Sequence, residues 1–148
     1  MAPPASKSSG VHLWLVLMKA HRAVARHAER SIASSGLGMS DFAVLEILLA
    51  KGPQKVNDIG RRVGLTSGSI TTAIDRLEAQ GLVARAVDAT DRRSRLVDLT
   101  ARGRARIGET FAGHAAALEA ATAGLTKDER KALIDLLKKL GLGAEQVP

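Results

Sequence analysis

The chain has 148 residues, enough for one domain with a real core or for two interlocked lobes. It has no cysteine, which excludes thiol catalysis, thiol-based redox sensing, disulfides and cysteine-ligated metals. The net charge of +7 suggests an anionic polymer or surface as partner, and eleven of the 22 Lys and Arg lie in residues 55–106, against six acids.

The N-terminal segment, residues 1–10, is rich in Pro, Ser and Ala and is predicted to be disordered. The apolar run Val11–Met18 that follows is interrupted by His12 and is too short to span a bilayer. No A-x-A cleavage site follows the run, so a signal peptide is not favoured. We therefore expect a cytoplasmic protein without a membrane partner.

Helical periodicity dominates the first half of the chain. The predicted helices there cover residues 11–35, 41–51, about 57–63 and 66–80. Ser40 and Thr66 are the expected N-caps of the second and fourth helices, and Gly81 follows the fourth as its C′ residue. In the fourth helix the apolar residues recur at i, i+3, i+4 and i+7, which predicts one buried face.

The periodicity then changes to that of strands. Residues 82–87 and 95–99 are short and β-branched, and the polar loop 88–94 joins them as a predicted β-hairpin. Thr100 is the expected cap of a long, Ala-rich fifth helix. Thr126 opens a capping box for a sixth helix, which is predicted to end at Gly141.

Two short helices joined by Gly64-Leu65 and followed by a hairpin are the parts of a winged helix-turn-helix. The fourth helix would enter the major groove, because short polar side chains let its backbone approach the duplex and its N-terminus can meet a phosphate. The alternative is an ordinary solvent-facing surface. The residues of this candidate reading face are Thr66, Ser67, Ser69, Thr71, Thr72 and Arg76.

Three arginines, Arg92, Arg93 and Arg95, cluster within four residues at the tip of the predicted hairpin. A basic tip next to a recognition helix is in position to enter the adjacent minor groove, where arginine is favoured. A solvated charged turn is the simpler alternative.

Residues 91–100, DRRSRLVDLT, match the D-x-R-x-x-x-x-x-L-T signature of the MarR family of transcriptional regulators. The preceding stretch 70–83, ITTAIDRLEAQGLV, resembles the same family. The resemblance covers about residues 11–141 in element order and is specific over 56–103. Residues 40–49, SDFAVLEILL, resemble the branch of the family that responds to quinones and phenolic compounds.

The resemblance implies a mainly α fold with a small β-hairpin wing, formed by one domain over residues 11–148. Residues 40–100 would be the winged helix-turn-helix lobe, with dimerisation helices in 11–35 and 101–148. Arg93 would enter the minor groove, Asp91 would hold the wing tip in shape, and Arg92 and Arg95 would contact phosphates. The implied function is a homodimeric regulator of a pseudo-palindromic operator in double-stranded DNA, acting as a repressor that a small aromatic or phenolic ligand releases.

Members of the family often place such a ligand between the dimerisation lobe and the DNA-binding lobe. The side chains Trp14, Met18, His21 and Phe42 could line a pocket of this kind. Plain core and interface packing is the alternative for all four.

Three functions are alternatives to a sequence-specific regulator. An enzyme is not favoured, since the chain has no G-x-S-x-G or P-loop, and the glycine run at Gly36 and Gly38 lacks the third glycine of G-x-G-x-x-G. A metal or other cofactor is not expected, because the four histidines have neither H-x-x-x-H spacing nor cysteine partners. A non-specific architectural DNA-binding protein is the remaining alternative.

Overall fold

A computed structural model of the chain describes residues 6–148. Six α-helices and three short strands make up this part: α1 Gly10–Ala33, α2 Met39–Lys51, β1 Gln54–Lys55, α3 Val56–Val63, α4 Ser67–Ala79, β2 Val83–Val87, β3 Arg95–Leu99, α5 Ala101–Ala121 and α6 Lys127–Ala144. The prediction of a mainly α fold with a small β wing is confirmed. None of the helices within residues 6–148 has the length and apolarity needed to cross a bilayer.

The helix boundaries follow from their caps. The Thr66, Thr100 and Thr126 hydroxyls each accept a backbone N–H of the first turn, as predicted. Two boundaries differ from the sequence-based prediction. Helix α2 begins at Met39 with Gly38 as its N-cap, instead of after Ser40, and α6 continues through Gly141 to Ala144.

The N-terminal segment predicted to be disordered lies partly outside the described residues, which exclude 1–5. Within the described part, the Ser9 N–H donates to the Ser6 carbonyl at 2.8 Å. The Ser9 hydroxyl accepts the His12 N–H at 3.2 Å and so caps α1, which begins at Gly10.

The three strands form one antiparallel sheet in the order β1-β3-β2. In the hairpin, Val83 is opposite Leu99 and Val87 is opposite Arg95. Strand β1 was not predicted, because two residues are too few to show the alternation of a strand. It forms because the free edge of β3 pairs with Gln54 and Lys55 directly before α3, and it attaches the wing to the helix-turn-helix.

One hydrophobic core lies beneath the helix-turn-helix, and Ile32 of α1 and Ile107 of α5 join it to the long helices. The predicted stripe of α4 is confirmed by the burial of Ile70, Ala73, Ile74 and Leu77. The apolar residues of α2 suggest a buried stripe of Phe42, Leu45, Leu48 and Leu49; the first three are buried, but Leu49 is 36% exposed and Val44 lies in the core instead.

Two glycines allow close contacts that position the lobe. A Cβ at Gly60 of α3 would lie 3.1 Å from Cγ2 of Ile70, which explains a helix-breaking residue at that point. A Cβ at Gly103 of α5 would lie 1.8 Å from the carbonyl oxygen of Leu82. Helix α5 therefore begins directly against the end of the turn that leads into the wing.

The long helices carry apolar side chains that the rest of residues 6–148 does not cover. Helix α1 packs along α5, whereas none of the residues of α6 is buried. The exposed large apolar side chains of the two terminal helices are Val11, Leu13, Trp14, Leu15, Val16, Leu133, Ile134, Leu136, Leu137, Leu140 and Leu142.

Candidate nucleic-acid interface

The N-terminal half of α4 presents short hydroxyl side chains to solvent. Thr66 donates from its own hydroxyl to Ser69 Oγ at 2.9 Å, so the cap and the first turn form one fixed unit. The Thr71 hydroxyl donates to the Ser67 carbonyl and the Thr72 hydroxyl to the Gly68 carbonyl. Each threonine thereby keeps its oxygen lone pairs and its methyl group available to an outside partner.

The sequence suggested that Arg76 is a free cation on this face, but its guanidinium is paired with Asp41. Its guanidinium reaches across to α2 and makes a fork of hydrogen bonds with Asp41, at 2.9 Å from Nε to Oδ2 and 2.5 Å from Nη2 to Oδ1. Asp41 is buried, and its hydrogen bonds raise the pKa of Arg76 above its usual value. The pair fixes α4 to α2, and about half of the Arg76 side chain stays exposed.

The wing tip is shaped by Asp91. Its Oδ1 accepts the backbone N–H of Arg93 at 3.0 Å, and its carbonyl accepts the N–H of Ser94 at 2.9 Å. The role that the family resemblance implied for Asp91 is thus supported at the level of the backbone. The side chains of Arg92, Arg93 and Arg95 are exposed.

The base of the wing is held by a second aspartate. Asp88 is buried and accepts both the N–H and the hydroxyl of Thr90, at 2.9 and 2.7 Å. These hydrogen bonds, together with Lys55 at 3.9 Å, lower the pKa of Asp88 below its ordinary range. Side-chain hydrogen bonds therefore hold the loop at its first residue as well as at its tip.

Arg85 of β2 connects the wing to α4. Its guanidinium binds Asp75 at 2.5 Å and also Glu78, and its backbone N–H donates to Glu78 at 3.2 Å. The hydrogen bond with Asp75 is the main reason that the pKa of Arg85 is raised. The two parts of the candidate interface are thus joined by an ion-pair network.

The recognition helix, α3 and the wing form one continuous surface. A cleft between α3 and the start of α4 contains Arg61 and Ser67, and a neighbouring cleft between α3 and the wing contains Arg61, Arg93 and Arg95. A third depression, on the other side of α4, contains Ser69, Thr72 and Arg76. Arg92 lines neither of the clefts beside α3.

The four candidate ligand-binding residues are not brought together in one cleft of the chain. Trp14, Met18 and His21 share one face of α1 at helical spacing, where Trp14 is 58% exposed. His21 lines a shallow depression with Arg22 and Arg26. Phe42, by contrast, is only 3% exposed, and its ring packs against His114 at 4.9 Å between centroids.

The sequence did not reveal the residues that hold the wing, which are Asp88 at its base and Arg85, whose guanidinium binds α4. Asp88 and Arg85 had been read only as parts of a polar loop and a strand. The spacing of Asp75 and Glu78 at i, i+3 on α4 was the available signal, since such acids share a helix face that a neighbouring cation can bind. Among residues 6–148 no group of three or more His, Cys, Asp or Glu side chains is arranged to hold a metal ion.

Comparison with known proteins agrees with this geometry. The MarR family model matches residues 37–94. The HTH-type transcriptional regulators YkoM and MhqR of Bacillus subtilis are each 37% identical to the chain. The match to YkoM covers 93% of this chain and 89% of YkoM. The match to MhqR covers 90% of this chain and 92% of MhqR.

Among solved structures, BpsR of Bordetella bronchiseptica superimposes with a TM-score of 0.76 at 28% identity, over 95% of this chain and 98% of that one. The DNA binding of BpsR is regulated by 6-hydroxynicotinic acid. Both the sequence relatives and the fold therefore lead to one assignment. The chain belongs to the MarR family and is a helix-turn-helix transcriptional regulator, not an enzyme.

Proposed function

We propose that the protein regulates transcription by binding a pseudo-palindromic operator in double-stranded DNA as a homodimer. The observation that carries this proposal is the continuous surface over α4, α3 and the wing, which combines a hydroxyl-rich helix N-terminus with exposed arginines. Hydroxyls near the major-groove edges of bases and arginines near phosphates are the usual division of work in sequence-specific recognition.

In this proposal α4 reads bases in the major groove. Ser67 and Ser69 lie in its exposed first turn, and Thr71 follows one turn later. A threonine oxygen can accept from a base amino group, and its methyl group can contact the methyl group of thymine. Thr66 and the free N–H groups of the first turn suit a phosphate.

The wing anchors the same half-site. Arg93 enters the minor groove, and Arg92 and Arg95 contact phosphates. The Asp91 carboxylate supports this arrangement because it binds the Arg93 backbone and leaves the guanidinium exposed. A narrow minor groove attracts arginine because its negative potential is enhanced.

Dimerisation uses the terminal helices. Many apolar side chains of α1 and α6 are exposed in the single chain, and extensive exposed apolar surface is typical of an obligate interface. A two-fold axis would place the two wings and recognition helices on half-sites about one helical turn apart.

We further propose that the protein is a repressor and that a small aromatic acid or phenolic compound releases it. BpsR, with 28% identity, is regulated by an aromatic acid, which supports this class of effector. Trp14, Met18 and His21 place an indole and an imidazole about two turns apart on one face of α1, and Arg22 and Arg26 adjoin His21 as partners for a carboxylate. Phe42 lies beneath the surface and would act only indirectly.

A competition experiment tests the proposal. The operator DNA used in this test is the region upstream of the protein's own gene. The affinity for this DNA is compared with that for random duplex at several salt concentrations, with and without aromatic acids. Replacing Ser69 or Thr71 by a bulky residue should remove the preference for the operator while random-DNA binding persists. A wild-type protein without any preference would instead be a non-specific architectural DNA-binding protein, and equal loss on both DNAs would show that α4 does not read bases.

A further inference from the structure

A cleft of about 380 Å³ lies between the N-terminus of α3 and the wing. Four cations, Lys55, Arg61, Arg93 and Arg95, line it, with Asp58 as the single acid among its lining residues. We call this the wing cleft. The family resemblance implies a role for the two wing arginines but none for Lys55 and Arg61.

The cations come from three different elements, so their proximity is a property of the fold. Strand β1 brings Lys55 beside β3 through the pairing of Lys55 with Leu96. Helix α3 contributes Arg61, whose side chain is 79% exposed, and the loop and β3 contribute Arg93 and Arg95. Neighbouring like charges repel, so such a group favours an anionic partner.

Two aspartates compensate this charge only in part. Asp88 lies 3.9 Å from Lys55 but is already bonded to Thr90, and Asp58 forms an ion pair with Arg61 within one turn of α3. Neither aspartate pairs with Arg93 or Arg95 in the described structure, residues 6–148. The wing cleft therefore keeps an excess of positive charge on the surface that faces DNA.

We propose that Lys55, Arg61 and Arg95 of the wing cleft bind the phosphate backbone of the DNA strand that borders the minor groove, while Arg93 extends from the cleft into the groove. Arg61 is the main phosphate contact outside the wing. Asp58 attenuates this contact, because its carboxylate competes with the phosphate for the Arg61 guanidinium. The proposal extends the DNA-binding function above. It assigns part of the affinity to the bracing helix α3, in addition to the recognition helix and the wing.

The adjacent residue provides a matched control. Arg61 and Arg62 are neighbours on α3 and both are exposed, but only Arg61 lines the wing cleft. Their charge and their position relative to the helix dipole are nearly the same. A difference between the two alanine variants thus reports the cleft and not the net charge of the protein.

The experiment compares Arg61→Ala, Arg61→Lys, Arg62→Ala and Asp58→Asn on operator and random duplex over a series of salt concentrations. The slope of log affinity against log salt is negative, and the loss of one phosphate contact should make it less steep by about 0.9. At roughly 0.1 M salt this corresponds to an affinity about fivefold to tenfold weaker. We expect Arg61→Ala to show this loss on both DNAs. Arg61→Lys should retain most of the slope, and Arg62→Ala should show little change.

Asp58→Asn should bind both DNAs several-fold more tightly than the wild type, and melting curves are recorded for every variant. Equal effects of Arg61→Ala and Arg62→Ala would overturn the proposal, as would a loss confined to the operator. Unchanged or weaker binding by a folded Asp58→Asn variant would overturn the role of Asp58. A failure of the DNA-binding function itself is distinguishable, since the wild type would then have no operator preference.

Discussion

At the wing tip, the Asp91 carboxylate binds the backbone of Arg93 and leaves the Arg93 side chain without a role in the turn. The conformation of the tip is therefore set by the Arg93 N–H, which donates to the Asp91 carboxylate, and by the Ser94 N–H, which donates to the Asp91 carbonyl. The side chain at position 93 is free to serve an outside partner.

We expect Arg93→Ala to weaken operator binding by about 1–3 kcal/mol, with a larger loss where A·T pairs lie beneath the wing. Arg92→Ala should cost less, because a phosphate contact is one of several similar interactions. Operator affinities of the two variants at one salt concentration check this prediction. Equal losses would reduce Arg93 to an ordinary phosphate contact, and a lowered melting temperature would show that its side chain supports the hairpin.

Gly103 provides the sharpest stability prediction. A methyl group at this position would overlap the Leu82 carbonyl, 1.8 Å away, so Gly103→Ala should destabilise the fold by about 3 kcal/mol or more. Gly108→Ala on the same helix has open space around its Cβ and should be neutral or stabilising by up to about 1 kcal/mol. Thermal unfolding of both variants is the measurement, and similar melting temperatures would contradict the close packing at Leu82.

Capping residues could be read from the sequence because their partners are local. Thr66, Thr100 and Thr126 each bind a backbone N–H three residues ahead. The pair of Asp41 and Arg76 spans 35 positions and could not be found in this way, because nothing local distinguishes Arg76 from a free surface cation. Arg76 meets Asp41 only because α4 packs against α2 in the folded chain.

At the scale of elements, the hairpin is fastened to the recognition helix by Arg85. The guanidinium binds Asp75 and Glu78, so the wing and α4 are held as one unit. Because the Arg85 side chain is only partly exposed, its network is worth more than an isolated surface ion pair.

Arg85→Ala should leave the core intact but loosen the wing, at a cost of about 1 kcal/mol. We expect faster amide hydrogen exchange in residues 83–99 and weaker operator binding, since the wing is then less well positioned. Arg92→Ala is the control for hydrogen exchange alone, as its side chain forms no ion pair within the described residues. Unchanged protection of the hairpin in Arg85→Ala would show that strand pairing alone positions the wing.

The order and type of the helices followed from periodicity and caps, and so did the hairpin. The two-residue strand β1 did not, because it exists only through its pairing with β3. The start of α2 was misplaced since Ser40 and Gly38 are both acceptable N-cap residues, and only the backbone geometry at Gly38 decides between them.

At the scale of the whole molecule, the apolar residues of α6 are not covered by any other part of the chain that the structure describes. We expect the protein to sediment at about twice its chain mass of 15.6 kDa at micromolar concentration. Its melting temperature should rise with protein concentration, as folding and association are coupled. A stable, folded monomer would contradict this prediction.

A charge at the centre of the α6 stripe tests the same interface directly. Leu137→Glu should shift the protein toward monomer or unfolded chain, because a carboxylate would be buried against apolar side chains. Lys139→Glu, on the opposite side of the helix, should leave sedimentation unchanged. Equal behaviour of the two variants would place the interface elsewhere.

Helix α5 connects the wing to the long N-terminal helix, since it packs against β3, α2 and α1. Its first turn rests on Leu82 beneath the wing, and farther along His114 contacts Phe42 and donates to or accepts from the Ser31 hydroxyl at 2.8 Å. Its 21 residues form a rod of about 30 Å. Such a rod works as a lever: a tilt of roughly 10° at the dimer end would move the wing end by about 5 Å, more than one base-pair step. In the proposed homodimer, small rotations between the two subunits would then be enough to bring the paired wings into or out of phase with the DNA helix.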